Sequence, residues 1–414
     1  MFANQRVLII GTVWPEPGSS AAGSRMMQLI AFFKEEGAYI TFACSASNFE
    51  YSEDLKSLGI QTEQIKINDS GFDQFIKELN PHTVLFDRFM TEEQFGWRIA
   101  EQCPDAIRIL DTEDLHSLRY GRHKALKQGR TFTEADLYSD KARREIASIY
   151  RCDLSLIISN FEYDLLANFF KIDSDLLHYV PFMLEAINSD QQKKLPEFDE
   201  RQHFISIGNF LHEPNWDAVK FLKSDIWKPI KKQIPEAELH IYGAYSSPKV
   251  EQLHNEKEGF CVKGRAENAE EVIRNSRILL APIRFGAGLK GKLVEAMKWG
   301  TPSITTEVGA EGMITNQVWG GGIAESPEQF VEKAVELYKN QKKWNSAQET
   351  GFNLFNTLFS REKHHQDLKS KITFISSNLS EHRKKNFIGS MLMQNTLQSY
   401  KYMSKWIEEK NKNL

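Results

Sequence analysis

The sequence predicts two successive α/β domains, each built around a parallel β-sheet. Short apolar runs of strand length recur along the chain, and segments of helical periodicity separate them. This alternation breaks once, over residues 181–203, and then restarts. A length of 414 residues fits two or three domains of about 150 residues each. The composition, 41% hydrophobic and 26% charged, is typical of globular proteins and excludes wholesale disorder.

Nine apolar runs are predicted to be strands, five before the break and four after it. They lie at 7–10, 39–44, 83–86, 107–110 and 154–158, and then at 204–207, 239–242, 278–281 and 303–305. A helix is predicted from Ser24 to Glu36, where Gly37 supplies a C-terminal cap. The polar run 188–194 indicates a linker, so the predicted domains are 1–190 and 191–365, followed by a helical segment over 366–414.

Charge and cysteine content exclude several classes of protein. Lysine and arginine number 52 and aspartate and glutamate 56, so no basic surplus is available for a nucleic acid. Four widely spaced cysteines favour neither a disulfide framework nor a zinc site, and no His, Cys and carboxylate set has metal-ligand spacing. From this spacing we expect no metal. No signal peptide or membrane span is recognisable, so we expect a cytoplasmic protein.

The end of the chain carries an apolar stripe at helical spacing. Its members are Ile388, Met391, Leu392, Met403, Trp406 and Ile407. The favoured interpretation is that this stripe packs against the protein's own body. A membrane-surface or dimer helix is the alternative, and the basic run 383–385 is compatible with a membrane.

The most informative motif is a glycine-rich loop between a predicted strand and helix. Three glycines lie within six positions: Gly286, Gly288 and Gly291. Such a loop lets backbone N–H groups approach an anion where the helix dipole favours negative charge. Arg284, Lys290 and Lys292 add positive charge, and Glu295, one turn deeper, could accept hydrogen bonds from sugar hydroxyls. We therefore expect a nucleotide sugar or a similar phosphorylated ligand; the alternative is a glycine-rich turn with solvated lysines.

Two further loops follow predicted strands and carry polar side chains. Residues 111–119 include Asp111, Asp114 and His116, which could orient hydroxyls or move a proton. Helix capping and a structural histidine are the alternatives there. Residues 208–218 include His212 and Asn215, which could face a cleft, although Asn215 could equally cap a helix.

The first loop offers a weaker anion-type site. It holds Gly11, Gly18 and Gly23 before a helix that begins Ser24-Arg25. Ordinary turn glycines are the alternative. This first loop does not hold G-x-G-x-x-G, and the P-loop and G-x-S-x-G motifs are absent from the sequence. This disfavours dehydrogenases, P-loop NTPases and α/β-hydrolases.

Four segments together resemble the family-four retaining glycosyltransferases, which have the glycosyltransferase-B fold. Residues 282–297 resemble that family's PLRYGAGxKGKxxEAL loop, 111–116 its DTVDLH, 208–218 its GxxxHxPNxDA and 307–312 its TxxGAEG. The similarity spans about residues 6–360. It implies two facing Rossmann-like domains with the active site in the cleft between them. It also implies a long C-terminal helical segment that packs back on the N-terminal domain.

The resemblance also implies an activity. Such enzymes move a sugar from a nucleoside-diphosphate sugar to an acceptor hydroxyl, with retention and without a metal or bound cofactor. The setting would be cell-envelope or polysaccharide biosynthesis, the acceptor a saccharide or lipid-linked saccharide, and peripheral contact with the inner face of the membrane an option. A sugar-nucleotide epimerase or phosphorylase on the same fold, or a non-catalytic nucleotide-sugar-binding partner, are the alternatives.

Residue roles carry over from the matched motifs. The implied donor-binding residues are His212, Asn215, Gly286, Gly288, Lys290, Lys292, Glu295, Glu311 and Gly312. The implied acceptor-binding residues are Gly23, Arg25, Asp111 and Asp114, and the implied catalytic residues are Asp114, His116, Arg284 and Lys290. Many relatives carry a glutamate where this chain has Ala287, and an arginine in the loop that here holds Asn209 and His212. Arg284 is therefore the expected second cation.

Overall fold

The computed structural model describes residues 2–47, 50–314, 318–394, 402–407 and 410, and it contains two parallel sheets. The first sheet has the strand order β3-β2-β1-β4-β5-β6-β7. Its strands are β1 Arg6–Gly11, β2 Tyr39–Cys44, β3 Gln61–Gln64, β4 Thr83–Asp87, β5 Ile107–Asp111, β6 Leu154–Ile157 and β7 Leu177–Tyr179. The second sheet has the order β10-β9-β8-β11-β12-β13. Its strands are β8 Gln202–Ile207, β9 Leu239–Tyr242, β10 Phe260–Gly264, β11 Ser276–Ala281, β12 Ser303–Thr305 and β13 Gly321–Ile323.

Helices connect and flank the strands. The first domain contains α1 Ala21–Glu35, α2 Gly71–Leu79, α3 Arg88–Gln102, α4 His116–Lys127, α5 Asp140–Arg151 and α6 Asn160–Asp164, and α7 Ser189–Gln192 lies in the linker. The second contains α8 Glu213–Phe221, α9 Trp227–Gln233, α10 Pro248–Glu251, α11 Ala269–Arg274, α12 Gly291–Lys298, α13 Glu307–Ala310 and α14 Pro327–Lys339. The remaining helices are α15 Gln341–Leu358, α16 Arg361–Ser377, α17 Leu379–Lys385 and α18 Phe387–Met393.

The predicted class, two Rossmann-like α/β domains, is confirmed. Both sheets are buried on both faces, as parallel sheets usually are. In β1, for example, Val7 and Ile9 pack into one apolar layer and Leu8 and Ile10 into the other. The helix α1 begins at Ala21, three residues before the predicted start at Ser24. The Ser20 side chain caps it by accepting the Gly23 N–H at 3.0 Å.

The chain crosses between the domains twice, and the two crossings are hydrogen-bonded side by side. The first crossing follows β7, and the second lies between α15 and α16. The Leu184 N–H donates to the Phe359 carbonyl at 2.8 Å, and the Arg361 N–H donates to the Leu184 carbonyl at 3.0 Å. Leu184 and Ser360 form a parallel β-bridge. The two linkers therefore form one short paired ribbon.

Beyond the second crossing, α16 packs on the first domain. Leu368, Ile372 and Ile375 are buried in the same apolar cluster as β1 and β2. The α17 side chain of Arg383 forms a two-pronged ion pair with Asp153 at 2.7 and 2.8 Å, so its charge is already engaged.

The apolar stripe at the chain end does not follow the favoured expectation. Ile388, Met391, Met403, Trp406 and Ile407 are exposed, with Trp406 at 64% and Met391 at 53% of full exposure. These side chains therefore do not pack against the protein's own body. The helix α18 itself does lie on the first domain, where the Asn386 side chain donates to the Tyr150 carbonyl at 2.7 Å and Gly389 is buried, but its apolar side chains Ile388 and Met391 face solvent. No helix within the described residues is both long enough and apolar enough to span a bilayer.

Candidate functional site

The carboxyl ends of the two sheets face each other, and loops from both sides are in direct contact. Arg122 of α4 pairs with Glu311 of the second domain through two hydrogen bonds of 2.8 and 2.6 Å. The same guanidinium donates to the Gly286 carbonyl at 2.9 Å. The Tyr245 hydroxyl donates to the carboxylate of Glu16, in the first loop, at 2.7 Å. The cleft is therefore closed, and the predicted donor loop lies at its centre.

Two predicted donor-site glycines allow this close approach. Gly288 has a φ of 64°, and a methyl group there would lie 2.9 Å from Asp114 Cβ. Gly312 has a φ of 77°, and a methyl group there would lie 2.3 Å from Ser159 Oγ. Both positions combine a left-handed backbone with a neighbour from the first domain, so only glycine fits without strain.

Lys290 and Lys292 lie at the start of α12 and are bonded only to neutral oxygens. Lys290 Nζ donates to the Gly288 carbonyl at 2.8 Å, and Lys292 Nζ donates to the Asn215 side-chain oxygen at 2.8 Å. Burial lowers the pKa of Lys290 to about 8 and that of Lys292 to about 7. Neither lysine forms an ion pair within the described part of the chain, so a bound anion would find two ammonium groups without a carboxylate partner.

Two other predicted donor-loop residues are engaged within the second domain. Arg284 pairs with Asp217 through bonds of 2.9 and 2.6 Å, and its guanidinium lies over the Phe221 ring. The Glu295 carboxylate accepts a hydrogen bond from the Trp299 ring at 3.0 Å. Their roles toward a diphosphate and a ribose remain predictions, and a donor would have to share or replace these bonds.

The first domain contributes a carboxylate held by cations and an imidazole. Asp114 lies 2.8 Å from Arg119 and 3.3 Å from His116 Nε2. Although burial opposes it, the charge of Arg119 keeps the pKa of Asp114 below its usual value. Burial lowers the pKa of His116 to about 4, so the imidazole beside Asp114 is neutral at pH 7. Burial likewise lowers the pKa of His212, from the second domain, to about 4, so this imidazole is also neutral.

Two buried glutamates fix the start of α4, and neither was predicted. Glu145 accepts hydrogen bonds from the backbone N–H groups of His116 and Ser117 at 2.9 and 3.1 Å. Glu162 Oε1 accepts the N–H of Leu115 at 3.0 Å and that of Gly288 at 2.7 Å. Glu162 therefore links the loop before α4 directly to the glycine-rich loop of the other domain.

The environment of Glu162 is unusual in two ways. Burial, together with the nearby Asp114 charge, raises the pKa of Glu162 to about 8. Its second oxygen, Oε2, is buried and has no hydrogen-bond partner among the described residues. The same holds for one oxygen each of Asp87, the last residue of β4, and Glu113, two residues after β5. This edge of the first sheet therefore has carboxyl oxygens with which a ligand that brings hydroxyl groups could form hydrogen bonds.

Three of the predicted acceptor-binding residues are occupied by internal contacts. Arg25 and Asp111 are 1% and 0% exposed and form a buried ion pair at 2.8 Å. Arg25 also donates to the Val180 carbonyl at 2.6 Å. The Gly23 N–H is taken by Ser20, and a methyl group on Gly23 would lie 2.5 Å from the Glu16 backbone. These contacts favour structural roles, and acceptor binding by these three residues remains a prediction.

Comparisons with known structures identify the class of fold. Sucrose-phosphate synthase from Thermosynechococcus elongatus superposes with a TM-score of 0.66 and 14% identity, over 90% of this chain and 100% of that one. Anabaena HepE in complex with UDP and glucose gives 0.63 and 12%, over 89% and 100%. A glycosyltransferase from Rickettsia africae gives 0.62 and 12%, over 89% and 98%. The chain therefore has the glycosyltransferase-B fold.

The second domain is similar to a known family. Residues 201–340 match the model of Glycosyl transferases group 1, and this range covers β8 to α14 and so includes the glycine-rich loop with its two lysines. No curated protein matches the chain. The match is confined to the second domain, and together with the fold it supports a glycosyltransferase.

Proposed function

We propose that this protein transfers a sugar from a nucleoside-diphosphate sugar to an acceptor hydroxyl, with retention and without a metal. The observation that carries the proposal is the pair Lys290 and Lys292, whose ammonium groups form no ion pair within the described residues and belong to the loop in which Gly288 lies against Asp114 of the first domain. HepE, which shares the fold, has been crystallised with UDP and glucose, which favours a uridine nucleotide as the first ligand to test.

In the proposed reaction the bond between the sugar C1 and the diphosphate oxygen breaks, and a bond from C1 to the acceptor oxygen forms. The electron pair of the broken bond leaves with the diphosphate, where the lysines and the start of α12 stabilise the added charge. Asp114 stays ionised and faces the positively charged sugar. The leaving phosphate oxygen accepts the acceptor proton on the same face of the ring, which retains the configuration.

A substitution at Lys290 tests the donor site. Lys290→Ala should lower turnover by about 10²–10³-fold, the typical cost of losing one preorganised charge stabiliser. Lys298→Ala is the matched control, because Lys298 lies in the last turn of the same helix against the Trp299 ring. Both variants should melt like the wild type, and Lys298→Ala should keep full activity.

Ligand screening separates this proposal from its alternatives. UDP, GDP and ADP are tested by thermal shift with and without EDTA, and sugar transfer is followed by product analysis. A nucleotide at 100 times its Kd should stabilise the protein by about 2.7 kcal/mol. A shift that EDTA does not change, lost in Lys290→Ala, supports the proposal. Nucleotide binding without transfer or donor hydrolysis for any acceptor would instead indicate a non-catalytic binding partner.

We also propose peripheral membrane contact through the chain end, which suits a lipid-linked acceptor. Exposed aromatic and apolar side chains concentrate there: Phe387, Ile388, Met391, Tyr402, Met403, Trp406 and Ile407. Such residues partition into the headgroup region, and Lys384, Lys385 and Lys405 can approach anionic lipids.

Vesicle sedimentation tests the membrane contact. The wild type should sediment with vesicles that contain phosphatidylglycerol, and the double variant Met403→Ser, Trp406→Ser should remain in the supernatant. Phe374→Ser is a control, because Phe374 is also exposed but lies on α16. Equal sedimentation of the wild type and the double variant would refute this contact.

A further inference from the structure

Folding gathers four metal-ligating side chains at a place far from the cleft, where the sequence spacing predicted none. His203 and His240 are the second residues of β8 and β9, Glu238 directly precedes β9, and Cys261 is the second residue of β10. These three strands are adjacent and parallel in the second sheet. The four side chains therefore lie at the amino-terminal edge of the sheet, opposite the edge that carries the glycine-rich loop.

The strand register places all four on the same face of the sheet. His240 is paired with Ile205 in one neighbour and with Cys261 in the other. Phe204 is paired with Leu239, which places His203 level with Glu238. Because side chains alternate between faces, the intervening residues Phe204, Leu239 and Phe260 point to the opposite face, where they are buried in the core.

The distances are those of a small coordination cluster. One ligand atom each from His203, Glu238 and His240 lies within 4.8 Å of the other two. His240 Nε2 is 2.8 Å from Glu238 Oε2, and Cys261 Sγ is 3.8 Å from the same oxygen. Tetrahedral ligands around zinc, with bonds of about 2.0–2.3 Å, lie roughly 3.3–3.8 Å apart. Side-chain adjustment of ordinary size is therefore enough to close the site.

A further feature supports binding. His203 has a φ of 62°, an uncommon backbone conformation for a residue other than glycine, and such outliers concentrate at functional sites.

Binding would replace existing interactions. The Glu238 N–H donates to His203 Nδ1 at 3.2 Å, and whichever nitrogen of His203 binds the metal, this hydrogen bond is lost. The His240–Glu238 hydrogen bond is also replaced. The neighbouring positive charges of Lys231 and Lys263 oppose a cation, whereas the Glu238 carboxylate favours one.

We propose that His203, Glu238 and His240 form a transition-metal site for Zn²⁺, with the Cys261 thiolate as the fourth ligand. Two imidazoles, a carboxylate and a thiolate are the donor set that zinc prefers. The site ties together the starts of three strands, so its metal is structural. The proposal is independent of sugar transfer, because the site lies at the opposite edge of the sheet from the donor loop.

The experiment uses the full chain, freed of metal with a chelator and titrated with Zn²⁺ and Co²⁺. One equivalent of Zn²⁺ should bind with micromolar or tighter affinity and raise the Tm. Co²⁺ should give the intense visible bands of a tetrahedral complex and a near-ultraviolet band from the thiolate. The thiolate band should disappear in Cys261→Ser while the visible bands remain.

Histidine variants decide whether these residues are the ligands. His203→Asn and His240→Asn should each weaken Zn²⁺ binding at least tenfold, and asparagine suits the left-handed backbone at 203. Glu238→Gln keeps the side-chain shape and should also weaken binding. His365→Asn is the matched control, because His365 is 18% exposed and pairs with Glu36 at 2.9 Å, much as His240 is 20% exposed and pairs with Glu238.

Circular dichroism shows whether each variant is folded. Zn²⁺ affinity that is unchanged in His203→Asn, His240→Asn and Glu238→Gln, or absent in the wild type, would overturn the proposal. Loss of binding in His365→Asn as well would also overturn it, because the metal would then be held by scattered surface histidines.

Discussion

The two halves of the cleft handle charge in opposite ways. In the first domain two buried carboxylates are paired with arginines, Asp111 with Arg25 and Asp114 with Arg119. In the second domain Lys290 and Lys292 donate to a carbonyl and an amide oxygen and form no ion pair within the described residues. Paired charges stabilise the local structure, whereas cations without an ion-pair partner can bind an anion. From this comparison we expect a rigid first half and diphosphate binding in the second.

The largest expected effect tests the paired half. Asp111→Asn should destabilise the protein by about 3–5 kcal/mol, because Arg25 would keep a buried charge without its partner. Denaturant unfolding measures this loss. Asp140→Asn removes an exposed ion pair with Arg143 and should cost no more than about 1 kcal/mol. A stable Asp111→Asn variant that loses only acceptor affinity would restore Asp111 to the acceptor site.

A smaller effect is expected where the two halves meet. Gly288→Ala should lower activity by about 10²-fold, because the added methyl group displaces the donor loop from Asp114. Gly129→Ala is a close control: its φ is 65°, against 64° for Gly288, but nothing lies within 4 Å of its added methyl group. Both variants should lose similar backbone stability, so equal activity in the two would show that the contact with Asp114 is unimportant.

The smallest effect concerns the pH dependence of the unpaired half. Lys290 and Lys292, with pKa values of about 8 and 7, must be protonated to bind a diphosphate, which in turn raises both pKa values. UDP affinity should therefore fall severalfold as pH rises from 7.5 to 8, by roughly twofold to threefold for Lys292 and less than twofold for Lys290. Calorimetry in buffers of different ionisation enthalpy should show proton uptake. The Lys290→Arg variant should take up fewer protons when UDP binds, because arginine stays protonated over this pH range. An unchanged proton uptake would mean that other groups titrate.

The sequence predicts the parts of the fold and site that are continuous in the chain. The glycine-rich loop and its lysines form one continuous segment, so the residue types and their order are enough to predict it. Four strands were missed. Three of them are short or lack apolar residues: β3 reads Gln-Thr-Glu-Gln, β7 is Leu-His-Tyr and β13 is Gly-Gly-Ile. The fourth, β10, has only three apolar residues, at its start. An edge strand with one or no buried face carries no apolar period to detect.

The contacts that complete the site depend on distant segments. Glu162 is 47 residues from Leu115 and 126 from Gly288, and Arg122 is 189 residues from Glu311. Glu162 lies in a helix that shows no motif of its own, and its pKa is raised by burial and by the charge of Asp114, which depend on the folded structure. The metal cluster is equally hidden, because three separate strands supply it.

The paired ribbon at Leu184 and Ser360 constrains how the cleft can open. Two covalent linkers that are hydrogen-bonded to each other resist twisting and sliding of the domains more than one linker would. We therefore expect a hinge motion about a single axis. Motion is then smallest beside the ribbon and grows with distance from it. The second linker leads into α16, which is buried against the first domain. Removing that helix would therefore leave the two domains connected by the first linker alone.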